Sequence, residues 1–352
     1  MSEYYPNQFR STCITSAAAD SLRFGYSKAF LVASMRRQIF NAPVPRHIRA
    51  NFRAIDTLKV NLIEQSLRNN YFARFPREYL STDWGKNDLK NHLSRRLDTD
   101  RKVIIPWLDK ARSLRDSSIL EIGCGTGSST VALAEQGAKV TAIDIDESSL
   151  LVAGERCRAY GLDVSFAHAN ATEVNELFTG RHFDFIIFYA ALEHMTIAER
   201  LSAMRATWKM LSAGELWCVI ETPNRLWYHD VHTSFLPFHM WLPDELAFEY
   251  SRFSPRNNYR ELYREYSDEA KLHFLRRGRG VSFHEFELTM KPVRELRIKS
   301  SLNGPNFESR LWRLLKWRFS VEHRYISLLR RIAPELHQGF LQSFLYLIIE
   351  KD

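Results

Sequence analysis

Five short apolar runs punctuate the middle of the chain. Ile119, Leu120 and Ile122 make the first, and residues 139–143, 164–169, 183–189 and 215–221 follow. Runs of this length predict strands, and the nearly unbroken FDFIIFY of 183–189 predicts a central strand buried on both faces. Residues 128–136 predict a helix opening on Ser128, Ser129 and Thr130. Two later runs, 295–302 and 341–350, predict a sixth and a seventh strand. Upstream, residues 1–20 are polar. Helical spacing over 21–40 breaks at Asn41-Ala42-Pro43-Val44-Pro45 and resumes over 46–75 through Ile48, Phe52, Ile55, Leu58, Leu62 and Leu67. Pro76 ends it. Ser81-Thr82-Asp83 can cap a short helix, and residues 98–112 predict a helix entering the first strand. No internal repeat or low-complexity tract is visible.

The join between the first strand and its helix reads ILEIGCGTG over 119–127. Strand, glycine turn and helix is the geometry that brings main-chain N–H groups against a nucleotide-like ligand. Glycine is needed where a Cβ would block the turn or the ligand's approach. The second strand ends in Asp144, about twenty residues on, where a carboxylate can accept both hydroxyls of a ribose. Taken alone, the glycine spacing also suits a purely structural loop.

Glu-Ile-Gly-Cys-Gly-Thr-Gly followed by Val-Thr-Ala-Ile-Asp resembles motif I and its acidic successor in class I S-adenosylmethionine (SAM) methyltransferases. The stretch Leu192-Glu193-His194 resembles the corresponding element of the ubiquinone-biosynthesis-type small-molecule methyltransferases. The resemblance covers residues 100–243 well and the last strands more loosely. It implies an α/β fold: a Rossmann-like, seven-stranded, mostly parallel sheet with helices on both faces, closed by an antiparallel pair. To this the chain adds an N-terminal helical extension and a helical insertion before the last strand. The expected division is 1–97 as extension or lid and 98–352 as the methyltransferase domain. Its core is 115–245, and its acceptor-side and C-terminal elements are 222–352. The implied SAM site comprises Glu121, Gly123, Gly125, Gly127, Asp144, Ile145, Asn170, Ala171 and Tyr189. Where the family commonly has Asp, this chain has Asn170, whose side-chain carbonyl can still accept from an adenine amino group. Tyr71, Tyr79 and Trp84 are either lid residues or core aromatics.

Composition narrows the class. At 352 residues the chain is long for one such domain, and 45% hydrophobic residues suit a folded core. Cys13, Cys124, Cys157 and Cys218 have no metal-ligand spacing and read as reduced thiols. No run approaches the roughly twenty apolar residues of a membrane span, and Glu3 argues against a cleaved signal peptide. A cytoplasmic protein is expected, with peripheral membrane contact as a variant. The net charge of +8 is unevenly spread: +10 over 1–114, −9 over 115–245 and +7 over 246–352. The basic flanks either attract the acidic core or meet an anionic partner. The basic, aromatic stretch 307–331 either lies on an anionic membrane or packs one side on the core. Arg276-Arg277-Gly278-Arg279-Gly280 reads as a phosphate-binding loop or an exposed turn.

Residues 222–242, TPNRLWYHDVHTSFLPFHMWL, are rich in aromatics and hold His229, His232 and His239. Loops beyond the carboxyl ends of strands carry the ligands of open α/β sheets, so this loop suits an organic acceptor. A hydroxyl acceptor needs a base, and histidine titrates near neutrality. His194 is the first candidate, then His232 and His229, with Glu193 or Asp230 orienting the ring. A divalent metal on His229, Asp230, His232 and Glu193 is an alternative, less favoured than a packed polar cluster. The expected reaction is O-methylation of a small molecule, glycan or glycolipid, with S-adenosylhomocysteine as product. The alternatives are N-methylation of a small amine, and a non-catalytic SAM-binding scaffold or RNA-associated protein. Nucleic-acid amino methylation fits poorly, because Tyr189-Ala190-Ala191-Leu192 stands where such enzymes carry an N/D-P-P-aromatic element. Oligomeric state is left open.

Overall fold

Seven strands form one sheet: β1 (Ser118–Ile122), β2 (Lys139–Asp144), β3 (Ser165–His168), β4 (Phe185–Tyr189), β5 (Leu216–Pro223), β6 (Arg297–Ser301) and β7 (Phe344–Glu350). Their order is β3-β2-β1-β4-β5-β7-β6. β1 to β5 pair in parallel, and β7 runs antiparallel to both of its neighbours. This is the expected fold. The computed structural model describes residues 43–302 and 320–352. The predicted helix over 21–40, the polar segment 1–20, Cys13 and the 307–319 part of the basic stretch lie outside them.

The apolar runs are explained by where successive side chains go. Ile119, Phe185, Ile187, Leu216, Cys218 and Ile220 enter one core cluster. Leu120, Ile122, Ile186, Phe188, Trp217 and Val219 enter another. Side chains alternate across a strand, so a sheet covered on both faces needs apolar residues at odd and even positions alike. Cys124, Cys157 and Cys218 are buried free thiols.

The region before β1 folds as α1 (Arg46–Ala50), α2 (Thr57–Ser66), α3 (Asp83–Lys90) and a run of tight and wide turns ending in α4 (Ile105–Ala111). The expected helix over 46–75 is interrupted at residues 51–56. There the Arg53 N–H donates to Glu135 and the Asn51 amide to Gln136, while Asp56 caps α2 by accepting from the Lys59 N–H at 2.8 Å. Thr82 caps α3 as expected. After β1 come α5 (Ser128–Ala134), after β2 α6 (Glu147–Ala159), and before β5 α7 (Ile197–Met210). Ile63, Leu67, Phe72 and Leu89 pack on Val152 and Ala159 of α6, so the extension covers the helix that follows Asp144.

A helical segment also separates β5 from β6, where only an aromatic loop was expected. It comprises α8 (Asp244–Tyr250), α9 (Asn257–Glu265), α10 (Asp268–Leu275) and α11 (Phe283–Thr289). Its first three helices share a small core of Ala247, Phe248, Tyr259, Ala270 and Phe274. Between β6 and β7, α12 (Val321–Ile332) buries Ile326 against the main core. Of the two readings of the basic stretch, packing one side on the core is what the described part shows.

Candidate active site

The three glycines after β1 have distinct surroundings. Gly123, Gly125 and Gly127 all take positive φ, +79°, +51° and +79°. A Cβ on Gly127 would meet Ala153 Cα at 2.8 Å, and one on Gly123 would meet the Ala191 side chain at 2.5 Å. A Cβ on Gly125 would meet nothing within 4 Å. Thus Gly123 and Gly127 let the loop pack against α6 and the β4 turn, while Gly125 leaves an open face at the carboxyl end of β1. That open face is where the sequence expects a nucleotide-like ligand.

Two carboxylates shape this cradle from below. Glu121 is fully buried and accepts from the hydroxyls of Ser129 and Thr130 at the start of α5. Burial pushes its carboxyl up to about 7. Asp144 accepts from the Gly125 N–H at 2.7 Å and the Asp146 N–H at 2.8 Å. Its two oxygens can accept further bonds, so ribose hydroxyls can be added without breaking the loop. Ile145 beside it is 62% exposed, an apolar surface suited to an adenine ring. At the end of β4, the Tyr189 hydroxyl donates to Asp100 at 2.5 Å. Asp100 is buried, and burial holds its carboxyl at about 7.

Asn170 departs from its expected role. Its Oδ1 accepts from both the N–H and the hydroxyl of Thr172, each at 3.0 Å. The carbonyl expected to meet an adenine amino group is thereby taken up locally, and the amide leaves NH₂, a donor, as its other end. Ala171 is buried behind it.

His194 and His232 come together with ring centroids 6.4 Å apart. Their hydrogen bonds fix their tautomers. His194 Nδ1 lies 2.7 Å from the Arg276 carbonyl, which can only accept. The Thr233 hydroxyl donates to main-chain carbonyls, with Gly278 O at 2.9 Å, so it accepts from His232 Nδ1 at 2.9 Å. In its neutral form each ring therefore carries the proton on Nδ1 and a lone pair on Nε2. Burial lowers the His232 pKa, although Glu193 opposes the shift. Glu193 is fully buried: Oε2 accepts from the Thr222 hydroxyl at 3.1 Å, and Oε1 has no protein partner. A bulge between Val219 and Thr222 places Glu221 at positive φ on the same rim.

His229 sits elsewhere, on a bridge to Pro237 and beside Tyr228. Asp230 does not orient the His232 ring. Its carboxylate accepts from the N–H groups of His232, Thr233 and Ser234 and from the Ser234 hydroxyl, holding the loop itself. The proposed metal set is therefore not assembled, and among the described residues no group of three or more His, Cys, Asp or Glu fits a metal ion.

The basic loop 276–280 is neither an exposed turn nor free for phosphate. Arg279 is buried and donates to the carbonyls of His239 and Leu242. Arg276 pairs with Glu199 at 2.7 Å. Of the expected lid aromatics, Tyr79 stacks on Phe75 and donates to Asp88, and Tyr71 packs on His92. Trp84 stands exposed with Arg256 5.8 Å from its ring. Arg256 also donates to the His232 and Thr233 carbonyls at 2.9 Å, which ties the extension to the histidine loop. The sequence reading missed Asp100 and Arg256. Asp100 had a signal: a carboxylate three residues after Leu97 and four before Ile104, on an apolar stripe.

The glycine turn, the acid ending β2 and the strand order agree with the class I methyltransferase resemblance of the sequence. The family described as "Methyltransferase domain" matches residues 119–214. The ubiquinone biosynthesis O-methyltransferase of Pseudomonas entomophila (strain L48) is 33% identical over 110 residues, 31% of this chain and 46% of that protein. Its counterpart from Pseudomonas aeruginosa (strain LESB58) is 32% identical over the same shares. The chain thus spans about half the length of these curated relatives. Among solved structures, magnesium protoporphyrin IX methyltransferase from Synechocystis PCC 6803 with bound SAM matches with a TM-score of 0.35 and 21% identity. It covers 49% of this chain and 79% of that one.

Proposed function

We propose that this protein transfers the methyl group of SAM to a small-molecule acceptor, at a hydroxyl oxygen. The observation that carries this reading is the open face over Gly125 lying at the same sheet edge as two imidazoles with free Nε2 lone pairs. When bound, SAM supplies a methyl group activated by a positive sulfur. Gly125 and Ile145 offer room for the nucleoside, and the remaining acceptor sites of Asp144 take its ribose hydroxyls. Asn170 caps its own turn and donates through its NH₂ to the base. Tyr189 and the buried acids Glu121 and Asp100 line the strand ends where the cationic part of the ligand is favoured.

The His194–His232 pair takes the proton of the acceptor hydroxyl at Nε2 while the new O–CH₃ bond forms and the S–CH₃ bond breaks. The electron pair of the broken bond stays on sulfur, giving neutral S-adenosylhomocysteine. Glu193 favours the imidazolium that results. A glycan or glycolipid is one form the acceptor can take. Peripheral contact with an anionic membrane is supported by α12, where Val321, Leu328 and Ile332 are exposed beside Arg324, Arg330 and Arg331.

The test is incubation with methyl-labelled SAM and fractionated extract of the source cells, with Gly125→Arg as the dead control. Label in one fraction, absent from the control, is expected. No label above the control, despite SAM binding, refutes the enzymatic reading and leaves the scaffold.

A further inference from the structure

Arg156 is a fully buried cation on the inner face of α6, next to Val152, Ala153 and Cys157. Its hydrogen bonds go to main-chain carbonyls from two parts of the chain. Nε donates to Thr126 O at 2.7 Å, Nη2 to His92 O at 2.7 Å and Nη1 to Leu93 O at 3.2 Å. Thr126 stands between Gly125 and Gly127 in the cradle, and His92 and Leu93 belong to the extension. The Thr126 hydroxyl meets Nδ1 of His92, itself buried, at 3.0 Å. One residue of the glycine loop is therefore held twice, by its carbonyl and by its hydroxyl.

The connection continues to the second cofactor turn. Tyr71 packs on the His92 ring at 4.4 Å, and the Arg74 guanidinium lies 4.3 Å above the Tyr71 ring. Arg74 then pairs with Asp146, two residues past Asp144, at 2.6 Å. Burying a guanidinium is costly unless its donors are well satisfied, and the planar fork of arginine can serve three carbonyls at once where lysine cannot. A hydrophobic side chain would fill the same volume at lower cost, so the charge answers a need other than packing.

We infer that Arg156 and His92 are positioning residues that latch the glycine loop to the extension, so that tight SAM binding requires the extension to be docked. This rests on the SAM reading above. Fixing the Thr126 carbonyl toward Arg156 holds the loop with its Gly125 face outward before the ligand arrives, which removes an ordering cost from binding. By linkage, SAM must then stabilise the docked extension as much as docking favours SAM.

The experiment uses the full chain. SAM dissociation constants are measured by calorimetry for wild type, His92→Phe, Thr126→Val, Arg156→Lys and Arg156→Met, each with its Tm. Hydrogen exchange over residues 83–104 is followed with and without SAM. His92→Phe and Thr126→Val should weaken SAM about tenfold or more while the Tm moves only a few degrees, with Arg156→Lys intermediate. SAM should slow exchange in 83–104 in wild type and much less in Arg156→Lys. If Arg156→Met does not fold, the three milder variants still decide. Affinities within twofold of wild type in folded His92→Phe and Arg156→Lys overturn the latch and leave a packing role. Wild-type protein that binds no SAM overturns the proposed function, and the latch with it.

Discussion

Gly125 and Gly127 lie two residues apart and should fail in opposite ways when changed to alanine. Gly127 sits at φ +79°, and its new Cβ would come within 2.8 Å of Ala153 Cα and 2.9 Å of Ala153 Cβ. The left-handed conformation costs an alanine about 1–2 kcal/mol. Overpacking against the backbone of α6, which cannot swing aside, adds about 1–3 kcal/mol. The expected loss for Gly127→Ala is therefore about 2–5 kcal/mol, which in a unit of this size lowers the Tm by roughly 3–8 °C. Gly125→Ala carries only the conformational part, since nothing lies within 4 Å of its Cβ. Its methyl group projects into the face assigned to the nucleoside, so SAM affinity should fall at least tenfold in a protein of nearly normal Tm. Scanning fluorimetry and calorimetry with SAM check both. A Gly125→Ala protein that binds SAM like wild type refutes the placement of the cofactor, and an unchanged Tm for Gly127→Ala refutes the packing argument.

Asp144→Ala should weaken SAM by about 1–3 kcal/mol, because ribose hydroxyls lose their acceptor; unchanged affinity in calorimetry would misplace the ribose. Asn170→Asp should keep the bonds to Thr172 but put an acceptor oxygen where the NH₂ donates to the base, weakening SAM severalfold; equal or tighter binding refutes the NH₂ contact. Burial holds the His239 imidazole at about 4 against 6.5 when unfolded. A lowered histidine pKa means that its neutral ring supports the fold fully above pH 6.5 and that this support is lost as pH falls toward 4, about 3 kcal/mol over that window. Urea denaturation at pH 7.5 and 4.5 should therefore show a smaller acid loss in His239→Phe than in wild type, and equal losses would refute the assignment.

The sheet was legible in the sequence because each central strand is covered on both sides. Ile186 and Ile187 enter different cores, so no polar position interrupts the run, and a run without gaps is visible without any partner being known. The glycine turn was legible for a related reason, since a turn at positive φ packed on Ala153 and Ala191 excludes side chains at fixed offsets. What could not be read is which partner a polar side chain finds. His229-Asp230-Val231-His232 has the look of a ligand set, yet Asp230 is used by the amides of its own loop. The basic loop 276–280 has the composition of an exposed turn, yet a Cβ on Gly280 would lie 2.7 Å from the Arg225 nitrogen, and Arg279 is forked into two carbonyls. Arg156 follows Val152 by four residues on a buried stripe, a signal that marks it as unusual but not as bound to Thr126. In all three cases most of the partners are main chain, which every residue carries and which therefore leaves no mark in composition or spacing. A charged residue at an apolar position is the trace that remains, and here such traces, at Asp100 and Arg156, lead back to the end of β4 and to the glycine loop.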